Sequence, residues 1–236
     1  MTSSSEKLRA IAHQALETEF LFGSTFIPNR VRTISAPAEK SMDKSKSRKQ
    51  LLESLETRFC GVFPLSDSLR DANRPVFGEG AADAELMFVG EAPGADEDRE
   101  GRPFVGAAGK KLNDMISAMG YSREQVYIAN ILKARPPDNR APLPDEIAEH
   151  APFLVEQLQI IQPRVVVALG RPAAHFLLDT TEPISRLRGI WGQWNFDGLS
   201  IDVMPTFHPA YLLRQYTPEV RAQVWNDMQQ VMAKLQ

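Results

Sequence analysis

The run VVVAL at residues 165–169, followed at once by Gly170, decides the fold class. It is short, apolar at every position and rich in β-branched residues, which is typical of a strand buried on both faces of a parallel sheet. Similar runs occur at residues 86–89, 126–129 and 201–204. Longer amphipathic segments separate these runs, and strands that alternate with helices predict a layered α/β fold.

Helix signals fill the segments between the predicted strands. The clearest is the last helix, in which Thr217 stands as the N-cap and Pro218 at the first helical position. Other helices are predicted at about residues 112–119, 144–161 and 171–178 from their apolar periodicity. Residues 186–197, which contain two tryptophans, are compatible with a hairpin, and the pattern alone leaves this open.

The composition is that of a globular protein, with 43% hydrophobic and 24% charged residues among 236. Cys60 is the only cysteine, so the chain closes no internal disulfide and fits a reducing cytoplasm. No run reaches the roughly 18 apolar residues of a membrane span, and the polar N-terminus lacks the apolar region of a signal peptide. We therefore expect a cytoplasmic monomer without a membrane partner.

Charged residues are distributed unevenly along the chain. Residues 1–50 carry nine Lys and Arg against five Asp and Glu, a net charge of +4, which leaves −7 for the rest of a chain whose total is −3. We interpret residues 1–50 as a basic N-terminal helix and linker, and residues 51–236 as the main folded domain. The basic segment fits either a solvated tail or a weak phosphate-attracting arm.

Three polar stretches each follow a predicted strand: GEAPGADED at residues 90–98 with GRPFVG at 101–106, NILKARPPDNR at 130–140, and HPAYLLR at 208–214. Ligands of α/β folds bind beyond the carboxyl ends of the strands. The stretches would bring carboxylates, an amide, an aromatic ring and an imidazole to that edge. This set suits a flat heteroaromatic ligand with an edge to be read.

The same stretches closely resemble those of the uracil-DNA glycosylase superfamily, nearest to its iron–sulfur "family 4" class, over about residues 59–235. The resemblance implies a three-layer α/β/α sandwich with a central four-stranded parallel sheet. It also implies an enzyme that flips deoxyuridine out of single- or double-stranded DNA and hydrolyses its N-glycosidic bond. Because no lysine is placed for a Schiff base, we expect a monofunctional glycosylase. No metal or organic cofactor is expected.

Roles in uracil binding follow from the resemblance. Phe104 would stack on the base, and the amide of Asn130 would pair with its O4 and N3–H. Ala92 stands in the pocket where the best-studied members of the superfamily carry a water-activating Asp. His208 would donate to O2 as charge develops there.

Two other carboxylates are the candidates for the remaining catalytic work. Glu91, directly after a predicted strand, would hold the loop or the water. Glu97 would stand beside C5 of the base, where thymine carries its methyl group. An acidic first helical turn is the alternative reading of Glu97 and its neighbours.

DNA contacts are predicted in two places. Leu213 and Arg214 would enter the minor groove and fill the gap left by the flipped base. Arg135 and Arg140, with Lys133 nearby, flank a proline-rich loop and would meet phosphates.

The cluster ligands of the family 4 class are mostly missing. Its four cysteine positions correspond to Cys60, Phe63, Ala134 and His150, and one thiol and one imidazole do not hold a four-iron cluster. We expect Phe63 and Ala134 to be packed as apolar residues instead.

Two alternatives to uracil release remain open. One is a glycosylase of the same fold that acts on another deaminated base, such as hypoxanthine or xanthine, because the Asp is replaced by Ala92. The other is a nucleic-acid-binding relative without turnover.

Overall fold

A six-stranded sheet forms the centre of the computed structural model, which describes residues 47–236. In chain order its strands are β1 (Glu79–Gly80), β2 (Leu86–Gly90), β3 (Tyr127–Asn130), β4 (Val165–Leu169), β5 (Gly192–Phe196) and β6 (Leu199–Thr206). Across the sheet the order is β1-β3-β2-β4-β6-β5. The four central strands are parallel, as predicted, and β1 and β5 add antiparallel edges.

Eight α-helices accompany the sheet in the described part of the chain. They are α1 (Arg48–Cys60), α2 (Ala95–Glu100), α3 (Ala107–Ala118), α4 (Pro144–Ile161), α5 (Arg171–Leu178), α6 (Ile184–Leu187), α7 (Pro209–Arg214) and α8 (Pro218–Leu235). The helices predicted between the strands are confirmed. The basic N-terminal helix and linker predicted within residues 1–50 lie outside the described residues, except for residues 47–50. Ser47 caps α1, so this helix crosses the domain boundary that we placed after residue 50.

Side chains that alternate along each strand build two hydrophobic layers. In β4, Val166 and Ala168 face a core that also contains the buried sides of α1, α4 and α5. Val165 and Val167 of the same strand face a second core with α3 and α8. Helices therefore cover both faces of the sheet, and the three-layer sandwich is confirmed.

Residues 186–197 do not form a hairpin by themselves, but their second half supplies the first strand of one. Strand β5, which contains the buried Trp194, pairs with β6 through a tight turn at Asp197 and Gly198. Both turn residues have positive φ angles, 49° and 79°, as a two-residue hairpin turn requires. None of the helices described in residues 47–236 combines the length and the apolar composition of a membrane span.

Candidate active site

The carboxyl ends of the central strands bring the three polar stretches to one edge of the sheet. Gly90 at the end of β2 lies opposite Asn130 at the end of β3. On the other side, the amide of Gly170, which follows β4, donates to the carbonyl oxygen of Thr206 at 2.9 Å. His208 comes two residues after Thr206. The side-chain amide of Asn130, the imidazole of His208 and the loop after β2 therefore share this edge.

Phe104 and His208 stand next to each other at this edge. Their ring centroids are 5.7 Å apart, and the ring planes are tilted by 34°. Phe104 is only 5% exposed and has a φ angle of 52°, a left-handed conformation that side-chain-bearing residues rarely adopt. Such a conformation costs of order 1–3 kcal/mol, so the surrounding structure must hold it in place.

Asn130 lies beside the same aromatic ring. Its side chain is buried, and its Oδ1 atom has no hydrogen-bond partner among the described residues. The absence of a side chain at Gly90 makes this arrangement possible. A Cβ atom there would lie 2.9 Å from Cε2 of Phe104 and still closer to Cζ of that ring and to Oδ1 of Asn130.

The imidazole of His208 is fixed in one tautomer by its place at the start of α7. Its Nδ1 atom accepts a hydrogen bond from the backbone N–H of Ala210 at 3.1 Å. Burial lowers the pKa of His208 to about 4, with a further lowering by Arg214 and an opposing effect of Glu97. At neutral pH the ring is therefore uncharged, and because Nδ1 accepts, the proton is on Nε2. This side chain is a neutral donor.

The absence of a side chain at Gly170 leaves room for the side chain of His208. Its φ angle is 89°, and a Cβ atom added there would lie 2.9 Å from the Cβ of His208. A side chain at residue 170 would both strain the backbone and displace the imidazole.

The two candidate carboxylates differ in their surroundings. Glu91 is half-buried, and burial raises its pKa, although Arg171 partly opposes this. Glu97 holds two loops together: its Oε1 accepts from the N–H groups of Val105 and Gly106, both at 2.9 Å, and its Oε2 accepts from Gly94 at 3.1 Å. The catalytic assignment of each stays a prediction. Ala92 is half-buried and packs against the core.

The residues predicted to contact DNA differ in their exposure and in their hydrogen-bond partners. Leu213, 45% exposed, and the exposed Arg214 lie at the end of α7, close in sequence to His208. Arg135 donates to the side chain of Asn139 at 2.8 Å. Arg140 makes a two-pronged ion pair with Glu146.

The expectation that Lys133 meets phosphates is wrong. Its side chain is fully buried, and Nζ donates to the backbone oxygen of Asn130 at 2.8 Å and to Oε1 of Gln157 at 2.6 Å. Burial lowers the pKa of this amine well below its usual value. Lys133 therefore stabilises the backbone at the end of β3 from within the protein interior.

The side chains at the family 4 cluster positions do not fit a four-iron cluster. Ala134 is buried, and Phe63 packs edge-on against Phe59, with ring centroids 6.1 Å apart, so their expected apolar packing is confirmed. Nδ1 of His150 already accepts from the backbone N–H of Lys133 at 3.0 Å. Within residues 47–236, no three His, Cys, Asp or Glu side chains are grouped as metal ligands.

Two arginines near the site were missed by the sequence analysis. Arg171 acts on the pKa of Glu91 from the start of α5. Arg123 reaches the loop of Phe104 from the turn before β3. Local spacing does not mark either residue, since each meets its partner only through the tertiary fold.

Comparison of the sequence with known proteins identifies a matching family and several relatives. The sequence profile of the uracil DNA glycosylase superfamily matches residues 77–229. The chain is 42% identical over 186 residues to a type-4 uracil-DNA glycosylase of Thermotoga maritima, covering 78% of the chain and 94% of that relative. It is 44% identical to a type-4 enzyme of Saccharolobus solfataricus, covering 67% and 74%. A type-5 uracil-DNA glycosylase of Thermus thermophilus is 35% identical over 44% of the chain and 54% of its own length.

Proposed function

The chain belongs to the uracil-DNA glycosylase superfamily, and we propose that it is a monofunctional glycosylase that hydrolyses the N-glycosidic bond of deoxyuridine in DNA. It releases uracil and leaves an abasic site, the first step of base excision repair. The proposal rests on the similarity to type-4 enzymes and on the grouping of Phe104, Asn130 and His208 at one edge of the sheet.

The free oxygen of Asn130 is the observation that carries the proposal. A buried acceptor without a donor costs roughly 1–3 kcal/mol, and a ligand that supplies an N–H removes this cost. Uracil supplies its N3–H to Oδ1 and its O4 oxygen to the amide's donor. Cytosine presents an acceptor and an amine at the same two places, so its pattern is reversed.

Phe104 supplies the flat surface on which the flipped base would rest. Stacking of a base on an aromatic side chain contributes about 1–3 kcal/mol and does not depend on which base is bound. The ring therefore favours entry of any planar base, and Asn130 discriminates among the bases that enter.

His208 would act on the transition state. As the glycosidic bond breaks, negative charge collects on the base, and a donor aimed at O2 binds the departing anion more strongly than the intact nucleoside. The donor would be Nε2–H, because Nδ1 already accepts from Ala210. A neutral imidazole suits this task since it needs no proton uptake at neutral pH.

Activation of water is assigned to Glu91. Burial raises the pKa of this carboxyl, which makes its ionised form a stronger base. The catalytic assignment of Glu97 also remains a proposal. Its three backbone donors favour a part in holding the pocket loops over a part in proton transfer.

DNA is the macromolecular substrate, bound by a monomer. Leu213 and Arg214 would occupy the gap left by the flipped nucleotide, and the partly exposed Arg135 and Arg140 would meet phosphates. Local positive charge of this kind serves docking even on a chain of net charge −3.

Base release under single-turnover conditions tests the proposal. Single-stranded oligonucleotides that carry uracil, hypoxanthine, xanthine, thymine or cytosine at one position are incubated with excess protein, and the free base is measured. We expect rapid release of uracil and an intact strand until alkali is added. Faster release of hypoxanthine or xanthine than of uracil would favour the alternative glycosylase, and tight binding without release would favour a non-catalytic binder.

A further inference from the structure

The backbone around Phe104 is held from two sides. The N–H groups that follow the ring, those of Val105 and Gly106, donate to Glu97. The carbonyl groups on its other side, those of Pro103 and Phe104, accept from the guanidinium group of Arg123. The left-handed conformation of Phe104 is therefore fixed by one anion and one cation.

Each of the three nitrogen atoms in the guanidinium group of Arg123 donates a hydrogen bond. Its NH1 donates to the carbonyl oxygen of Phe104 at 3.1 Å and to Oδ1 of Asn113 at 2.9 Å, and its NH2 donates to the carbonyl of Pro103. Its Nε donates to Glu79. The side chain is only 14% exposed, so it has little freedom to move away from these partners.

The position of Arg123 in the chain links the ring to the base-reading amide. Arg123 opens the short turn Arg123–Gln125, which leads directly into β3, and β3 ends at Asn130. One short segment of the chain thus carries both the group that holds the Phe104 loop and the group that reads the base edge. A fixed distance between ring and amide is what a pocket for a flat base needs.

We propose that Arg123 is a positioning residue that holds Phe104 in its stacking orientation relative to Asn130. The inference rests on the proposed function, because it gives Arg123 a part in uracil excision. Arginine suits this place since its planar fork satisfies several fixed acceptors at once, whereas the single ammonium group of lysine does not.

Arg102 offers a matched control. It also pairs with Glu79, at 2.7 and 3.2 Å, but it is 58% exposed, and its guanidinium group makes no hydrogen bond to the carbonyl oxygens of Pro103 and Phe104. Replacing Arg102 weakens the ion pairs around Glu79 and leaves the carbonyl contacts of Arg123 in place. The pair of arginines therefore separates positioning of Phe104 from a general contribution of charge pairing.

A double-mutant cycle between Arg123 and Phe104 tests the proposal. The variants are Arg123→Met, Phe104→Leu, the double variant and Arg102→Met, each assayed for single-turnover release of uracil. We expect Arg123→Met to slow release about 10- to 100-fold in the wild-type background, as for a displaced reacting group. In the Phe104→Leu background, where no ring remains to be oriented, the same change should slow release less than about threefold. Arg102→Met should stay within about threefold of the wild type.

The free base gives a second readout. Loss of ring orientation should weaken competitive inhibition by uracil in Arg123→Met to a similar extent as in Phe104→Leu, whereas a variant that is merely less stable keeps the inhibition constant of its folded fraction. If Arg123→Met does not fold, the same cycle is run with Arg123→Lys, which keeps the charge and loses the fork. We expect the same pattern with a smaller effect.

Several results would overturn the proposal. Equal slowing by the Arg123 variant with and without the Phe104 ring would show that Arg123 acts independently of that ring. Equal slowing by Arg102→Met would assign the effect to the ion pairs of Glu79. In both cases the wild type still releases uracil, so the proposed function stands. A wild type that releases no uracil would instead contradict the proposed function, and the role of Arg123 with it.

Discussion

Replacement of His208 should separate two roles that this residue combines. Its Nδ1 caps α7 by accepting from Ala210 at 3.1 Å, and its Nε2–H is the donor assigned to uracil O2. His208→Ala removes both the cap and the donor. His208→Asn places a side-chain oxygen where it can cap the helix, because Asn is among the preferred N-cap residues, and it does not reach O2.

The expected magnitudes differ for the two roles. Loss of an N-cap costs about 1 kcal/mol, which lowers the melting temperature of a domain of this size by roughly 2–4 °C. Loss of one donor to developing negative charge slows the reaction by about 10²- to 10³-fold. His208→Ala should therefore show both effects. His208→Asn should regain the melting temperature of the wild type and stay as slow as the Ala variant.

Two measurements check this expectation: thermal unfolding by circular dichroism and single-turnover release of uracil. The slow rate should persist at saturating enzyme, since the donor acts on the transition state rather than on binding. If His208→Asn excises uracil within about threefold of the wild type, the imidazole does not stabilise the departing base. If its melting temperature stays as low as that of the Ala variant, the capping argument is wrong.

Three further predictions concern Glu91, Gly170 and Cys60. The excision rate should fall on the acidic side of the pH profile as the raised pKa of Glu91 is crossed, while His208, with a pKa of about 4, adds no fall nearer neutrality. Glu91→Gln should be slow and lack this acidic limb, and an unchanged limb would assign it to another group. Gly170→Ala should slow single-turnover excision by the folded protein, because its Cβ displaces His208. Excision at the wild-type rate would contradict this. Purified protein should hold less than one iron per chain, measured by elemental analysis, since Cys60 is the only thiol. Stoichiometric iron would contradict the reading of the cluster positions.

The layered core could be predicted from sequence because local patterns produce it. The run at residues 165–169 is apolar at every position, and β4 is buried on both faces. The N-cap Thr217 and Pro218 mark the start of α8 as expected. The edge strand β1 is only two residues long, Glu79–Gly80, and a run of that length has no periodicity to detect.

The chemistry of single side chains was harder to predict than the fold. Lys133 lies two residues before Arg135 and next to a proline-rich loop, which indicates a solvent-facing cation. It is buried instead, because Gln157 and the carbonyl of Asn130 receive its hydrogen bonds. The tertiary fold supplies these acceptors. For the same reason Arg123 carries no local signal, since its partners Pro103 and Phe104 lie about twenty residues earlier in the chain.

The most direct test of the central claim is the base preference of Asn130→Asp. The change replaces the amide donor by an acceptor, so an ionised carboxylate would face O4 of uracil. A buried acceptor left unpaired costs roughly 1–3 kcal/mol, and more when it is charged. At the same edge cytosine presents its amine, and the carboxylate would accept from it.

Release of uracil and of cytosine is compared between the wild type and Asn130→Asp on single-stranded oligonucleotides, where the cost of opening a base pair does not enter. If Asn130 reads the base edge, uracil release should fall sharply in the variant and its preference should move toward cytosine. If the Asp variant releases uracil at the wild-type rate, Asn130 does not read the base, and the pocket of Phe104, Asn130 and His208 is not the uracil site.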